Sequence, residues 1–334
     1  MSCYYIESCE TNPYHNLALE QFVFDRLKPE SSFFMLWQNH NSIIVGKNQN
    51  TAGEVNAPFV KEHGITVARR LSGGGAVYHD LGNLNFTFIS PDDKQKGIDF
   101  SLFCRPVGEA LRSFGVPVVI SGRNDMTVEG KKFSGNAQYI KGGRVMHHGT
   151  ILYDSDLSVL SKALNPPSDK IESRGIKSVQ GRVVNVRPYM KNDLSVAEFW
   201  AALGSYMRNS LDMTPFNLSD GQLAAVGELK EKVYSRWSWN YGSSPPHTLR
   251  KERRIAGCGK IEVLLDIGRE GIIKNAAFYG DFFGNLDPHG LGSKLAGHHL
   301  EYEELSKLFL DDDIEINEFF HGLNRKTFLE LLLE

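Results

Sequence analysis

Three consecutive glycines sit inside the stretch Arg69-Arg70-Leu71-Ser72-Gly73-Gly74-Gly75-Ala76-Val77-Tyr78-His79-Asp80. Residues without a Cβ admit positive φ and let a ligand come close to the backbone, so amide N–H groups of such a loop can be aimed at an anion. Arg70 adds a permanent charge with a planar fork of donors that suits phosphate or carboxylate. An ordinary flexible turn fits the glycines taken alone; the flanking arginines, Ser72 and His79 favour anion binding. The stretch lacks the Gly-Lys-Ser/Thr ending of a Walker A loop and the spacing of a dinucleotide-binding fold, so neither nucleotide class is indicated.

Farther along come Gly122-Arg123-Asn124-Asp125, then Gly130-Lys131-Lys132-Phe133-Ser134-Gly135-Asn136-Ala137-Gln138, then His147-His148-Gly149-Thr150-Ile151-Leu152. A lone lysine reads as a solvated side chain. The histidine pair does not predict a transition-metal site, because neighbours on a strand face opposite sides and cannot readily chelate one ion. One of the two is expected to face a bound ligand and the other to be packed or exposed.

Taken together, the order RR-x-SGGGAVYHD-x-GN, GRND, K-x-SG-x-A and HHGT-L resembles the signature of the lipoate–protein ligase family, within the biotinyl/lipoyl ligase superfamily. Smaller similarities at Asn16-Leu17-Ala18, at Trp37 and at Gly46 with Asn50 extend the match toward the N-terminus, and the part from about residue 250 is similar to the accessory domain of the longer ligases. The resemblance implies an α+β fold: a mixed-sheet catalytic domain over residues 1–246 and a small α+β C-terminal domain over 247–334. It also implies a reaction, in which lipoate and ATP give lipoyl-AMP and pyrophosphate, and an acceptor lysine then takes the lipoyl group as an amide. Acceptors would be lipoyl domains of 2-oxoacid dehydrogenases or the glycine-cleavage H protein.

Such chemistry brings a carboxylate against the α-phosphate of ATP. Two unit charges about 4 Å apart repel by about 1 kcal/mol in water and about 4 kcal/mol at an effective dielectric of 20, so a fixed cation is needed. The family's K-x-SG spacing selects Lys132 over Lys131, and in an extended strand the two face opposite sides. By the same resemblance Arg70, Gly75, Ala76, Val77, Tyr78 and Lys132 would bind ATP. Trp37, Arg70, Ser72, Gly74, His79 and Lys132 would line the lipoate side. Asn83, Asn124, His148 and Thr150 are further adenylate-site candidates. Asp125 would either hold Mg2+, with most of the metal shell coming from water and phosphate, or cap a turn. Residues 165–186 correspond to the family's loop that closes over the adenylate and keeps water from it, although their composition fits an ordinary surface loop equally.

Three rivals are weighed against this reading. An acyltransferase working through a cysteine thioester without ATP needs an activated thiolate near the lysine. No cysteine lies between Arg105 and Gly257, and Cys104 falls on an apolar helical pattern that suits a buried structural thiol. A non-catalytic relative is disfavoured by Lys132 and the complete glycine loop, and biotin ligation by the different arginine-glycine loop of the biotin branch.

The elements that must carry these residues are legible in outline. Asn12-Pro13 supplies a cap and first turn, and Leu19, Phe22, Val23 and Leu27 predict an amphipathic helix. The runs FFMLW from Phe33 and SIIVG from Ser42, separated by the polar residues 38–41, predict a hairpin. Residues Asn83–Ile89 alternate as a half-buried strand, with Leu84, Phe86 and Phe88 on one side and Asn85 and Thr87 on the other. Strands are expected from Val116, Met126 and Thr150, and helices over 102–114 and 194–207. The turn chemistry of Gly242-Ser243-Ser244-Pro245-Pro246 marks a boundary near 246. Beyond it, 255–267 and 271–278 read as strands, and 303–309 and 315–333 as helices.

The bulk properties fit a soluble globular protein for which a nucleotide is a better ligand than a nucleic-acid polymer. The 334 residues are 41% hydrophobic and 23% charged, which permits a sizeable core. A net charge of -3 provides no positive field for a nucleic-acid backbone. Neither a leader nor a membrane-spanning run is indicated, and four scattered cysteines, Cys3, Cys9, Cys104 and Cys258, suit free thiols in the cytoplasm.

Overall fold

A computed structural model describes residues 2–92, 99–121, 124–164, 183–242, 247–268 and 271–333, without the side chains of residues 52 and 121. The chain divides into two compact units. The larger comprises Met1–Val45, Thr51–Leu71 and Ala76–Tyr241; the smaller comprises Gly242–Glu334 with two short loops, Gly46–Asn50 and Ser72–Gly75.

In chain order the strands of the larger unit are β1 (Cys3–Glu7), β2 (Ser32–Trp37), β3 (Ser42–Val45), β4 (Thr66–Arg69), β5 (Val77–His79), β6 (Asn83–Pro91), β7 (Val119–Ser121), β8 (Asp125–Val128), β9 (Lys131–Lys141), β10 (Arg144–Leu152) and β11 (Thr214–Pro215). Eight of them form a mixed sheet in the order β11-β1-β2-β6-β10-β9-β8-β7, and β4-β3-β5 form a second sheet. The expected hairpin of β2 and β3 is therefore absent: β2 lies between β1 and β6, and β3 between β4 and β5. Both strands are buried along most of their length, so each takes partners on both edges from distant segments.

Asn12 caps the helix Pro13–Arg26, its side chain accepting from the amides of Tyr14 and His15, a cap worth about 1 kcal/mol. Leu27 ends the helix rather than belonging to it. The expected amphipathic pattern gives way to burial of Pro13, Asn16 to Glu20 and Phe22 to Phe24. The helix packs against β4, β6 and the segment 220–234, which covers more of its circumference than a one-sided helix would allow. The strand expected from Val116 begins at Val119, and β6 is buried on both faces rather than one, with Asn83, Asn85 and Thr87 all shielded. On one side of the large sheet the helices Ser101–Ser113 and Val196–Ser210 cover a core that includes Phe86, Phe133, Tyr153 and Phe199.

In the smaller unit, β12 (Leu249–Ile255), β13 (Gly259–Ile267) and β14 (Ile273–Gly280) form an antiparallel meander. The strand expected over 255–267 is interrupted after Ile255, and the helix expected over 315–333 is two, Ile316–Phe319 and Arg325–Leu333. Gly322 explains the second break: its φ is +84°, and a Cβ there would stand 2.7 Å from the Gly257 carbonyl oxygen. The chain thus turns where only glycine fits.

Candidate active site

Cross-strand register assembles one polar face on the large sheet. Trp37 of β2 is opposite Asn85 of β6, and Asn85 is opposite Thr150 of β10. One step along, Thr87 is opposite His148, which is opposite Ala137 of β9. Residues directly opposite one another share a face, so Trp37, Asn85, Thr87, His148, Thr150 and Ala137 line the same side. Asn83 joins them through its amide, which donates to Asn85 Oδ1 at 3.0 Å. Among the described residues, Asn83 Oδ1 and Asn85 Nδ2 have no partner although both are buried. Buried polar atoms are ordinarily paired, so this face suits a polar ligand.

Lys132 reaches this face through an irregularity. Opposite β8, Thr127 pairs with Lys132 but Met126 pairs with Ser134, so Phe133 is passed over as a β-bulge. Strict alternation would put Lys132 with Ser134 and Asn136. The bulge instead puts it with Gly135, where a Cβ would stand 3.1 Å from both Cε and Nζ of Lys132. The Lys132 ammonium lies 2.6 Å from Asp125 Oδ1, with both side chains about a third exposed, at 38% and 36%. The contact is an ion pair. Gly135 N–H donates to Thr150 Oγ1 at 3.1 Å, and Val184 N–H to the Lys132 carbonyl at 2.9 Å.

Beside it lies a buried charged network centred on Glu20, a residue outside the sequence motifs. Glu20, 2% exposed, accepts from Thr87 Oγ1 at 2.5 Å and lies 3.0 Å from His148 Nδ1, while Trp37 Nε1 donates to Thr87 Oγ1 at 2.9 Å. Arg70 is buried, donates to the Ile44 carbonyl at 3.0 Å and is pulled down to about 10 by burial, against which the Glu20 charge acts. The His79 ring meets Trp37 edge-on at 6.2 Å. Asn16 Nδ2 donates to Asn39 Oδ1, which turns the Asn39 amide toward His79 Nδ1 at 3.1 Å. Nδ1 therefore accepts and the ring proton sits on Nε2, a buried atom with no partner among the described residues. Burial first, then the Arg70 charge, push the His79 pKa down to about 3, so the ring is neutral.

Other expected residues are placed elsewhere. His147 is fully buried on the opposite face, stacked on Phe103, bonded to Gln138 and Asn136, and 3.8 Å from Cys104 Sγ. Burial lowers its pKa well below the usual histidine range and raises the Cys104 thiol to about 12. Asn124 braces the sheet, its amide donating to the Asn136 carbonyl at 2.8 Å. Tyr78 points into the apolar cluster around Ile43 and Val45, with its hydroxyl on Asn41 Oδ1; Ala76 packs on that cluster, and Val77 on the one around Trp37. Arg69 is a strut, bonded to Thr51 Oγ1 and to the Trp239 and Asn240 carbonyls.

The glycine loop, with Ser72, Gly74 and Gly75, belongs to the smaller unit. Gly74 N–H donates to the Phe282 carbonyl at 3.3 Å, so this amide is committed to the protein rather than aimed at an anion. A Cβ at Gly73 would stand 2.3 Å from the Phe282 carbonyl oxygen, and one at Gly46 would stand 2.0 Å from that of Gly74. The glycines here permit backbone to pack on backbone. Gly122, Arg123, the loop residues 165–182 and the linker residues 243–246 lie outside the described residues.

Glu20, Thr87 and Asn85 are the residues that sequence reasoning missed. Asn16 and Glu20, four apart within an apolar run, were the available signal: two polar residues on one buried helical stripe.

Comparison with known proteins agrees along nearly the whole chain. Residues 12–208 match the lipoyl protein ligase A/B catalytic domain, and residues 244–332 match the bacterial lipoate protein ligase C-terminus. The lipoate-protein ligase LplJ of Bacillus subtilis is 38% identical over 96% of this chain and 97% of its own length. Among solved structures, P. falciparum LipL1 in complex with lipoate superposes with a TM-score of 0.79 at 27% identity, covering 99% of this chain and 98% of that one. Lipoate-protein ligase A bound with ATP gives 0.61 at 27% identity, over 72% of this chain and 99% of that one. A mixed sheet whose polar face carries a lysine laid over glycine, and a sequence that matches both parts of these enzymes, place the chain in the lipoate–protein ligase family.

Proposed function

We propose that this enzyme is an ATP-dependent lipoate–protein ligase acting through lipoyl-AMP, with Lys132 as its catalytic cation. In the first half-reaction a lipoate carboxylate oxygen attacks the α-phosphorus of ATP and pyrophosphate leaves. In the second, the amine of an acceptor lysine attacks the acyl carbon, AMP leaves with the bonding electron pair, and the amide forms as the nitrogen gives up a proton to solvent. The observation that carries this reading is the Lys132–Asp125 ion pair: an ammonium held beside a face of buried polar side chains, already matched to one carboxylate. In the reaction that ammonium would offset the repulsion between carboxylate and α-phosphate.

Arg70, His79 and Trp37 supply a buried cation, an Nε2–H donor and an aromatic wall for the lipoate side, and Asn83, Asn85 and Thr150 supply polar groups for the adenylate. Mg2+ would accompany ATP. Among the described residues no cluster of three metal-ligating side chains occurs. Asp125 fits the mode in which one carboxylate would join phosphate and water around Mg2+, and the metal would neutralise phosphate charge there. We assign catalysis to residues 1–246 and an accessory role to 247–334. Acceptors are lipoyl domains of 2-oxoacid dehydrogenases or the glycine-cleavage H protein. No helix among the described residues is long and apolar enough to cross a membrane. The cysteines are unpaired thiols, which agrees with a cytoplasmic setting.

Mass spectrometry of an apo lipoyl domain incubated with the protein, ATP and lipoate tests the reading. A mass gain of one lipoyl group at a single lysine, dependent on ATP, is expected. Modification without ATP from an octanoyl- or lipoyl-carrier protein supplied as donor, and not from lipoate with ATP, would favour the acyltransferase alternative; no modification from lipoate with ATP would refute ligation.

A further inference from the structure

Glu20 is a carboxylate that the lysine and glycine motifs leave without a role. Burying a charge is costly, and an apolar side chain would fill the same space on a helix whose buried residues are mostly apolar. The directions of its hydrogen bonds follow from chemistry. An indole N–H can only donate, so Thr87 Oγ1 accepts from Trp37 and gives its own proton to Glu20 Oε1. Both carboxylate oxygens also meet His148 Nδ1, at 3.0 and 3.3 Å. An ionised carboxylate only accepts, which requires the proton on Nδ1 of His148.

The fold holds this pair together from outside. Arg144, on the same strand four residues before His148, is buried and donates to the carbonyls of Phe24 and Leu27 at the end of the helix that carries Glu20. Strand and helix are thus tied at two points, four residues apart on the strand.

We propose that Glu20 is a positioning residue of the ligase site, holding the His148 proton on Nδ1 and orienting the imidazole on the sheet face shared with Thr87, Asn85 and Thr150. His79 is set the opposite way, with its proton on Nε2, so the two histidines offer different chemistry. The consequence for substrate binding rests on the ligase reading; the tautomer does not.

The test is 15N NMR of histidine-labelled protein without substrates, together with lipoate-dependent ATP–pyrophosphate exchange. His148 is expected to carry its proton on Nδ1. Glu20→Gln, whose amide can donate as well as accept, should lose that preference and raise KM for lipoate about ten- to hundredfold, with kcat changed less. Thr87→Val, which removes the other bond to the carboxylate, should keep the tautomer. A proton on Nε2 alone in the wild type, or an unchanged tautomer and KM in folded Glu20→Gln, would overturn the proposal. Should Glu20→Gln not fold, the wild-type tautomer still decides. If the wild type shows no exchange at all, the ligase reading fails, and the tautomer is still judged by NMR.

Discussion

Lys132 and Asp125 face each other across neighbouring strands, with Nζ 2.6 Å from Oδ1, and the lysine arrives there because the chain bulges at Phe133. The pair is a third exposed, which limits its worth to the fold to at most about 1 kcal/mol. Replacing the lysine therefore separates chemistry from stability. Lys132→Ala is expected to lower lipoate-dependent ATP–pyrophosphate exchange by about a hundredfold or more while the urea midpoint barely moves. Near-normal exchange in that variant would show that the lysine has been wrongly assigned.

Gly135 is the floor under that lysine. A methyl group there would meet Cε and Nζ at 3.1 Å, and both belong to the end of a flexible side chain that can move. Gly135→Ala should leave folding nearly intact and cut adenylation about tenfold or more, because angstrom-scale misplacement of a catalytic group is costly. Unaltered exchange kinetics would mean that the ammonium acts from a different position.

In the smaller unit the obstacle is backbone rather than side chain. Gly73→Ala puts a Cβ 2.3 Å from the Phe282 carbonyl oxygen, which has no rotamer to yield. A loss of about 1–3 kcal/mol is expected, with faster amide exchange over residues 280–284. Wild-type protection there would contradict the packing described.

His79 makes acid stability directional. Its pKa falls from 6.5 unfolded to about 3 folded, so between those values the unfolded chain binds the extra proton and stability rises with pH. His79 contributes nothing above pH 6.5 and destabilises progressively as pH falls toward 3, by a few kcal/mol at most. His147 acts with the same sign. Denaturant unfolding from pH 7 to 4 should show a shallower decline in His79→Gln than in the wild type; parallel curves would mean that His79 titrates normally.

Cys104 bears on the rival chemistry. Its thiol is 1% exposed and raised to about 12 by burial and by the charges of Asp125 and Asp99, so hardly any thiolate exists near neutrality. Iodoacetamide at pH 8 should label the exposed Cys9 and spare Cys104, and Cys104→Ala should keep ATP-dependent ligation. A lipoyl thioester trapped on Cys104 would reverse this conclusion.

The motifs around Arg70, Lys132 and His148 were legible in the sequence, and with them the family, the α+β class and most element positions, because spacing and capping are local. Asn12-Pro13 starts its helix where the residue types demand. Partners across the sheet are not local. FFMLW and SIIVG are close in sequence and apolar, yet each finds two other strands, since burial on both faces rewards distant pairing that no short window records. Asn85 and Thr87, on the polar side of a strand expected to be half-buried, face a covered polar site, and Glu20 meets His148 across 128 positions of chain.

The glycine loop shows the same division most plainly. Its three glycines announce a place where something comes close to the backbone, and that much is fixed by the absence of Cβ atoms. What comes close in the smaller unit is the Phe282 carbonyl, which takes the Gly74 amide. Residue types determined which chemistry was possible, while register, the bulge at Phe133 and long-range packing decided which atoms meet, because those depend on distances between segments that the sequence does not encode one window at a time.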